Sequence, residues 1–550
     1  MKLYCILLAC SLTMAQTPSP KPEPPKFKPD ELCTLEGVVR NAATGEPLKK
    51  TTVMVMPMDN RGGQQMTTTS TEADGKFSVK GLEPGQYRLS ANRSGFVRMD
   101  YGARPGAVTG SPLTLEKGQA MKSLEFKMSP HAVITGRVLD EDGDPVQSSS
   151  VMLFRHRYIQ GRKQMMTAGG ASTNDLGEYR MFGIAPGKYY LSVSVPNYAM
   201  FGTISQPGAA PEEGYAPTYY PGTNDMAFAS LITVAQGGLL QGTDIRLRKM
   251  RTYRIKGKVV GARTPRGGMV LVNSKGGNDF TMMDRNMGSW RGASGDFEVR
   301  GLRPGSYIVQ AEYSESPDQR FGGRVPVEVT DHDVADVVIT LGPGVEVQGT
   351  VRLDGESTAK LEELALVLIP KGSGMMMRMN EGRLTDKGVF TIARVTQDEF
   401  QIQVRGMPPD HYLKSARLGE TEVLENGLDL TQLSSAIGID IVISPGAAKF
   451  TGTVVDEKDK PIRGATIILR PTNAKLAMIG TLTKTATTDQ NGQFKIEGVV
   501  PGDYQSLAFD GLDVLEVQDP DVFKEYESKA IKIEFKEKAQ ESKQFKAIVR

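Results

Sequence analysis

The chain has 550 residues, too many for one hydrophobic core and enough for roughly four or five domains. Its 66 basic and 64 acidic residues leave a net charge of +2, which argues against nucleic acid as the main partner. The 60 glycines and 32 prolines exceed ordinary usage but stay below the level of a disordered low-complexity chain.

The first fifteen residues predict a secretory signal peptide, since one lysine precedes an apolar stretch and small residues lead to Ala15. Alternatively, Leu7-Leu8-Ala9-Cys10 resembles the lipobox of bacterial lipoproteins, which would place a lipid anchor on Cys10. No later stretch reaches the ~20 apolar residues of a spanning helix. We therefore expect a protein that is secreted, periplasmic or on the cell surface.

Cys33 is the one cysteine expected to remain after signal cleavage, so no internal disulfide is predicted. It is expected to act as a small buried residue near the first strand; an intermolecular bridge is the alternative. The Pro- and Lys-rich segment 16–32 is typical of an extended linker. Beyond it, the sequence repeats.

Each repeat opens with a glycine-centred strand and closes with an alternating strand. The opening glycines lie 99, 121, 92 and 103 residues apart, at Gly37, Gly136, Gly257, Gly349 and Gly452. Such a period matches a domain rather than a solenoid repeat. We predict five domains, which cover residues 33–129, 130–250 (with a long loop), 251–343, 344–445 (degenerate) and 446–550. The one helical signal, at 520–530, predicts one or two turns.

A sixteen-residue motif, DGKFSVKGLEPGQYRL at 74–89, defines what we call the corner motif. Asp74-Gly75 favours a tight turn, and Phe77 and Val79 share one strand face by period two. Leu82 is predicted to plug the core, and Pro84-Gly85 to form a type II turn. Further copies lie at 175–191, 295–309 and 490–507. The copy at 385–404 lacks Pro-Gly, so we expect its corner to be built differently.

This pattern resembles that of carboxypeptidase regulatory-like domains, which are related to the transthyretin-like and Cna B-type folds. The resemblance covers almost all of residues 33–550. It implies an all-β protein, a tandem array of about five antiparallel β-sandwiches. At ~3.4 Å per strand residue, five sandwiches joined by short linkers would form a rod of up to ~150 Å.

The family name raises the question of a zinc peptidase, which needs a His-x-x-Glu pair and a further histidine. The chain has four histidines: His131, His156, His332 and His411. The residues three positions after them are Ile134, Ile159, Ala335 and Lys414. None is glutamate, so we predict no enzyme, no catalytic residue, no cofactor and no metal site, with the histidines on the surface or in packing roles.

Weaker ligand signals have structural alternatives. The alternating acids of 140–144 are typical of a calcium loop but lie in a hairpin turn. Methionines at 165–166, 282–283 and 375–379 suit Cu(I) or a pliable contact surface. Lys256 and Lys258 invite an isopeptide crosslink, as in some Cna B-type domains, yet the closing strands lack a consistent asparagine. The ligand-surface candidates are aromatic residues that would stack on sugar rings or cap the second sandwich: Tyr215, Tyr219 and Tyr220.

These observations predict a non-enzymatic exported protein for binding or adhesion at the cell envelope, with polysaccharide as a candidate ligand. One alternative is a structural spacer whose partners are envelope proteins. Another is an accessory subunit of a separate peptidase or polysaccharide-degrading enzyme. The sequence itself favours none of these ligands or partners decisively, because the repeats specify a fold rather than a site.

Overall fold

The computed structural model describes residues 27–58, 66–103, 109–159, 162–195, 213–261, 267–274, 286–291, 294–316, 319–357, 359–371, 380–433 and 435–549. The predicted signal peptide and most of the linker lie outside these ranges. Strands dominate the described residues and form five β-sandwiches in tandem, numbered 1 to 5 below, so the predicted fold class is confirmed. None of the helices in these ranges is long and apolar enough to cross a membrane.

Sandwich 1 follows a short 3₁₀ helix, Pro29–Glu31. Its sheets have the strand orders β4-β1-β8 and β3-β2-β5-β6, with β7 also paired to β5. The strands are β1 (Cys33–Asn41), β2 (Thr52–Pro57), β3 (Thr67–Ser70), β4 (Lys76–Leu82), β5 (Gly85–Asn92), β6 (Met99–Asp100), β7 (Leu113–Leu115) and β8 (Ala120–Met128).

Sandwich 2 repeats this arrangement with a longer hairpin and a two-stranded addition. Its strands are β9 (Ala132–Leu139), β10 (Ser150–Ile159), β11 (Arg162–Ser172), β12 (Glu178–Ile184), β13 (Gly187–Ser194), β14 (Glu213–Tyr215), β15 (Thr218–Tyr219), β16 (Ile232–Val234), β17 (Leu239–Leu240), β18 (Ile245–Arg246) and β19 (Lys249–Arg251). A 3₁₀ helix covers Met226–Phe228. One sheet contains β12-β9-β17 with β18, the other β11-β10-β13-β15 with β16, and β14 pairs with β19.

Sandwich 3 differs because its strands join into one seven-stranded sheet, in the order β25-β24-β21-β22-β23-β20-β26. Its strands are β20 (Tyr253–Val260), β21 (Gly268–Ser274), β22 (Asn286–Arg291), β23 (Asp296–Leu302), β24 (Gly305–Ser316), β25 (Gln319–Val329) and β26 (Val334–Thr340). Reciprocal backbone hydrogen bonds between Gly322 and Gly342 bring the two edges of this sheet together around its core.

Sandwich 4 has the strand orders β30-β27-β35-β32-β33 and β29-β28-β31-β34. Its strands are β27 (Val345–Leu353), β28 (Ala365–Pro370), β29 (Asn380–Arg383), β30 (Val389–Val395), β31 (Glu399–Arg405), β32 (Tyr412–Leu418), β33 (Thr421–Glu422), β34 (Leu428–Asp429) and β35 (Ile437–Ser444). A 3₁₀ helix covers Leu361–Glu363.

Sandwich 5 has the strand orders β39-β36-β42 and β38-β37-β40-β41, with β43 paired to β40. Its strands are β36 (Ala448–Val455), β37 (Thr466–Pro471), β38 (Lys484–Thr487), β39 (Gln493–Val499), β40 (Gly502–Asp510), β41 (Ile531–Phe535), β42 (Gln540–Lys546) and β43 (Ile548–Val549). It also carries α1 (Ala474–Ala477), α2 (Pro520–Glu525) and the 3₁₀ helix Glu527–Lys529. The short helix predicted within 520–530 is therefore present.

One pairing scheme recurs in all five sandwiches. The opening strand pairs antiparallel with the first strand of the corner motif, as β1 does with β4. On its other side it pairs parallel with the closing strand, as β1 does with β8. The sandwiches are thus mostly antiparallel, and this recurrent parallel pair is a feature that the repeat pattern did not predict; β17 with β9 and β43 with β40 are further parallel pairs.

The opening glycine has a packing role that explains its place in every repeat. A Cβ added to Gly37 would lie 2.7 Å from the ring of Phe77 and also collide with the carbonyl oxygen of Leu124. The same aromatic position and closing-strand carbonyl confront the other four opening glycines. The corner-motif aromatic ring therefore packs directly over the opening strand, and only glycine leaves room for it.

The corner itself depends on a left-handed residue, which is Gly81 in sandwich 1 with φ of 77°. Its counterparts Gly183, Gly301 and Gly498 have φ between 66° and 79°. In sandwich 4 the same position is Arg394, with φ of 58°. The backbone of sandwich 4 therefore keeps the left-handed conformation without glycine, although the Pro-Gly turn that follows it in the other sandwiches is missing.

Each of the first three corner motifs is closed by its tyrosine. The hydroxyl groups of Tyr87, Tyr189 and Tyr307 donate to backbone carbonyl oxygens four residues earlier, at distances of 2.7 to 2.9 Å. Burial raises the pKa of Tyr87 to about 12, so its hydroxyl stays protonated even in alkaline solution. Sandwich 4 lacks Pro-Gly and has Phe400 at this position, so no hydroxyl is present to close its loop.

The array folds back on itself instead of forming the predicted rod. Sandwich 5 contacts sandwich 1 through Thr114 and Gln490, sandwich 2 through Arg157 and Asp513, and sandwich 4 through Tyr412 and Glu537. An extended rod would keep the first and fifth sandwiches far apart. The rod expectation failed because these contacts come from single side chains and from loops, which carry no periodic signal.

Candidate functional site: the junctions of sandwich 5

The junction between sandwiches 1 and 5 rests on one glutamine. Gln490 accepts from the backbone N–H of Thr114 at 3.1 Å and donates to the Thr114 carbonyl at 2.7 Å. Its side-chain amide therefore imitates a β-bridge against the outer edge of β7. Asp489 accepts from the Thr114 hydroxyl at 2.9 Å. Gln490 lies in the turn of the fifth corner motif, where sandwich 1 has Ala73.

An arginine strengthens the same junction. Arg463 lies over the ring of Tyr101 at 5.0 Å and donates to the Tyr101 hydroxyl at 2.8 Å. A guanidinium on an aromatic face gains a cation–π attraction as well as the hydrogen bond. These contacts fix the orientation of sandwich 5 against sandwich 1.

The junction between sandwiches 2 and 5 contains a buried ion pair. Arg157, near the tip of the β10–β11 hairpin, lies 3.2 Å from Asp513, and both side chains are less than 10% exposed. The other oxygen of Asp513 accepts backbone N–H groups from Leu515 and Glu516. Removing one partner of such a pair leaves the other charge buried without compensation, so this contact ties the hairpin firmly to sandwich 5.

The junction between sandwiches 4 and 5 is solvent-exposed and ionic. Lys414 donates to Asp354 at 2.7 Å and to Glu537 at 3.3 Å, and Tyr412 donates to Glu537 at 2.8 Å. Lys414 lowers the pKa of Asp354, and Tyr412 together with Lys414 lowers the pKa of Glu537. Sandwiches 3 and 4 meet through a similar pair, Arg324 and Asp398, at 3.0 Å.

His411 forms a hydrogen-bonded chain beside this junction that sequence reasoning missed. Its Nε2 lies 2.5 Å from the Ser357 hydroxyl and its Nδ1 lies 2.7 Å from Asp410. The order serine, histidine, aspartate is that of a nucleophilic triad. Here, however, the His411 side chain is 1% exposed, and Ser357 also accepts the N–H of Ala359. We assign this hydrogen-bonded chain a structural role, in which Ser357 and Asp410 provide hydrogen-bond partners for the buried imidazole of His411.

The other histidines do not gather into a site. His131 and His156 are half-buried, and His332 is exposed beside Asp331. Burial lowers the pKa of both His131 and His156. Across the described residues, no three histidine, cysteine, aspartate or glutamate side chains are grouped to hold a metal ion.

The calcium-like loop at 140–144 is organised by backbone hydrogen bonds. Asp140 accepts the N–H groups of Asp142 and Asp144 at 3.0 and 2.9 Å. Asp456 does the same for Lys458 and Lys460 in sandwich 5, where two lysines replace the later acids. The shared geometry belongs to the turn, because it forms equally well where a cation would be repelled.

The predicted tyrosine shelf is mostly packed into sandwich 2. Tyr219 is 3% exposed and cannot stack on a ligand. Tyr215 and Tyr220 are half-buried and pack against the core of the sandwich, and Lys249 lies 5.9 Å from the Tyr215 ring. Tyr215 and Tyr220 remain predicted ligand contacts, whereas Tyr219 caps the sandwich.

The remaining residues singled out in the sequence are cysteines and clustered methionines. Cys33 is a free, buried residue whose thiol contacts the carbonyl oxygen of Glu116 at 2.9 Å. Met165 is buried and Met166 half-buried in β11, while the methionines at 282–283 and 375–379 fall outside the described residues. Cys10 and the cleavage site after Ala15 also fall outside them.

Comparison with known proteins identifies a family model that matches three segments of this chain. The family model described as "Carboxypeptidase regulatory-like domain" matches residues 34–129, 133–209 and 449–511. Three segments of this chain are carboxypeptidase regulatory-like domains. They lie in sandwiches 1, 2 and 5; sandwich 3 carries the Pro-Gly corner motif as well but is not among the matched segments.

The chain is also similar to individual proteins. Colossin-A of Dictyostelium discoideum is 22% identical over 510 residues, which span 82% of this chain but only 4% of Colossin-A. A streptococcal ancillary pilin is 9% identical and matches 54% of this chain and 99% of its own, with a TM-score of 0.19.

Two other solved structures give similar values. The major pilin subunit BcpA of Bacillus cereus is 10% identical over 94% of this chain and 99% of its own, with a TM-score of 0.14. Two B repeat units of the collagen-binding protein of Staphylococcus aureus are 11% identical over 75% of this chain and 99% of their own, with a TM-score of 0.13.

Proposed function

We propose that this chain is a non-enzymatic, exported binding protein of the cell envelope, whose ligand is a polysaccharide. The observation that supports it best is the position of sandwich 5, which joins sandwiches 1, 2 and 4 into one folded-back body. A body fixed in this way presents its loops at set positions to an extended ligand. Binding by several loops of one rigid body costs less conformational entropy than binding by a flexible string of domains.

The polar groups brought together in the described residues serve this architecture. Gln490 is hydrogen-bonded to the edge of β7, Arg157 forms an ion pair with Asp513, and His411 is hydrogen-bonded to Ser357 and Asp410. Each of these groups has its partners within the chain. The arrangement therefore favours a role in which the protein holds surfaces in place.

The test is a binding screen with the mature protein, residues 16–550, against immobilised cell-wall and plant polysaccharides. Saturable binding to at least one polysaccharide is expected, and the Arg157→Ala variant should bind more weakly because its body is opened. A protein that retains no polysaccharide but captures envelope proteins would instead support the structural-spacer alternative. Genuine turnover of a polysaccharide or peptide would contradict the non-enzymatic assignment.

A further inference from the structure

Sandwich 5 carries a second, smaller core, and within the described residues no other sandwich has one. The outer face of the β38-β37-β40-β41 sheet is covered by residues 511–530, which include α2. Ile468, Leu507 and Phe509 of this face pack against Val517, Val522 and Phe523. A shorter segment around α1 borders the same face. Together these additions form a small cleft of about 30 Å³.

One charged side chain of the sheet reaches this cleft. Arg470 lines it together with Phe523, Met478, Thr483 and Pro520. Its strand partner is Gln505 on β40. At the equivalent register position the other sandwiches have uncharged residues, namely Met56, Phe154, Asn273 and Ile369. The charge is therefore specific to sandwich 5 and accompanies the added segments.

The Arg470 guanidinium is held in place but not neutralised. It lies 5.2 Å above the Phe523 ring, and Phe523 is itself buried. In the part of the chain that the structure describes, no carboxylate lies within ion-pair distance of Arg470. Burial lowers the pKa of Arg470, while Glu527 acts in the opposite sense from farther away. A half-buried guanidinium without an ion-pair partner is primed to accept an external anion.

We propose that this cleft binds the carboxylate of a uronic-acid residue in an acidic polysaccharide; this inference rests on the proposed function and assigns its site. The planar guanidinium fork matches a carboxylate in a bidentate arrangement. A monoanion fits better than phosphate, because Arg470 is the one cation among the described residues that line the cleft and a second negative charge would have no partner there. Met478, which is 61% exposed, and Pro520 offer apolar contact to the sugar ring.

The test is calorimetric titration of the mature protein with three probes: a galacturonate trimer, the matching neutral galactose trimer and inorganic phosphate. The galacturonate trimer should bind at least about tenfold more tightly than either of the others, since it alone combines a sugar ring with a carboxylate that can form a charged, bidentate hydrogen-bonded pair with Arg470. Arg470→Gln should weaken its binding by about the same factor. Lys532→Gln, which removes an exposed charge from the same sheet, should leave the affinity unchanged.

Circular dichroism and thermal unfolding of Arg470→Gln must match the wild type, and Arg470→Lys provides a folded variant with charge but no fork. Equal binding of the neutral trimer, a preference for phosphate, or unchanged affinity in Arg470→Gln would overturn the proposal. If the polysaccharide screen is positive but insensitive to Arg470→Gln, the cleft assignment fails while the proposed function stands. If the screen is negative and galacturonate binds through Arg470, the site stands as a receptor for small acidic sugars alone.

Discussion

Sandwiches 1 and 5 carry the same corner motif and match the same family model, yet they behave differently in the molecule. In sandwich 1 the outer edge of β7 receives a contact, whereas sandwich 5 makes contacts with three other sandwiches. The difference lies in residues outside the strand and corner-motif pattern that the two sandwiches share: Gln490 in a turn, Arg463 in a loop and the added segment 511–530.

This contrast separates two kinds of information in the sequence. The repeated residues determine that a sandwich forms, since the opening glycine, the aromatic ring packed over it and the left-handed corner residue are present in all five sandwiches. The residues that differ between repeats determine where each sandwich docks. The following predictions test this separation, starting with the largest expected effect.

The buried pair between sandwiches 2 and 5 should dominate the fold-back. Arg157→Ala leaves Asp513 buried and unpaired, so we expect a loss of ~3–5 kcal/mol in the free energy of docking. Small-angle X-ray scattering should then show a larger radius of gyration. Arg137→Ala serves as the control, because it breaks an exposed pair with Glu178 on the same sandwich, worth ~0–1 kcal/mol. An unchanged scattering profile for Arg157→Ala would show that sandwich 5 docks through its other contacts.

Substitution of the opening glycine should destabilise a sandwich. Gly349→Ala places a methyl group against the ring of Phe390 and the carbonyl of Ile439, and overpacking of this kind costs ~1–3 kcal/mol. Hydrogen exchange of β27 and β30 amides should accelerate accordingly. Gly438→Ala in the neighbouring β35 meets nothing within 4 Å and should be neutral or slightly stabilising. Equal effects of the two substitutions would refute the packing role of the opening glycine.

Much of the pattern of strands and turns could be predicted from the sequence, because it depends on residues close together in the chain. Period-two alternation predicted that Phe77 and Val79 are buried, and both are 4% exposed. The turn residues predicted the hairpins, and the short helix within 520–530 followed from its periodicity. The parallel pairing of β1 with β8 was not predictable in this way, because it joins strands about 85 residues apart with no pattern of their own.

The candidate site was predictable only in part. Aromatic residues drew attention to Tyr219, but its burial depends on the fold of a long loop. Arg470 gave no signal in the sequence, since a lone arginine in a strand is ordinary until a neighbouring segment covers it. The same holds for His411, whose partner Ser357 lies 54 positions earlier in the chain. Side chains that meet through tertiary contacts leave no spacing rule to detect.

The corner of sandwich 4 offers a gain of stability. Arg394 occupies the left-handed position that is glycine in the other four sandwiches, and a non-glycine residue there costs ~1–2 kcal/mol. Arg394→Gly should therefore raise the free energy of unfolding of sandwich 4 by about 1 kcal/mol, after the loss of unfolded-state rigidity. Urea unfolding followed by hydrogen exchange of β30 and β31 measures it. Arg394→Ala keeps the strain and should not stabilise; a destabilised Arg394→Gly would mean that the arginine side chain itself supports the corner.

The smallest effect concerns pH at the junction of sandwiches 4 and 5. Because the pKa values of Asp354 and Glu537 are lowered in the folded protein, their contribution is present above their unfolded pKa values of ~4 and is lost as pH falls below them. Lys414, whose pKa is raised, stays charged throughout this range. Lys414→Gln should therefore melt below the wild type at pH 7, with a difference that shrinks as the pH falls below about 4 and the two carboxylates take up protons. Lys532→Gln should show no such convergence, and a Lys414→Gln difference that does not change with pH would assign the junction to packing instead of charge.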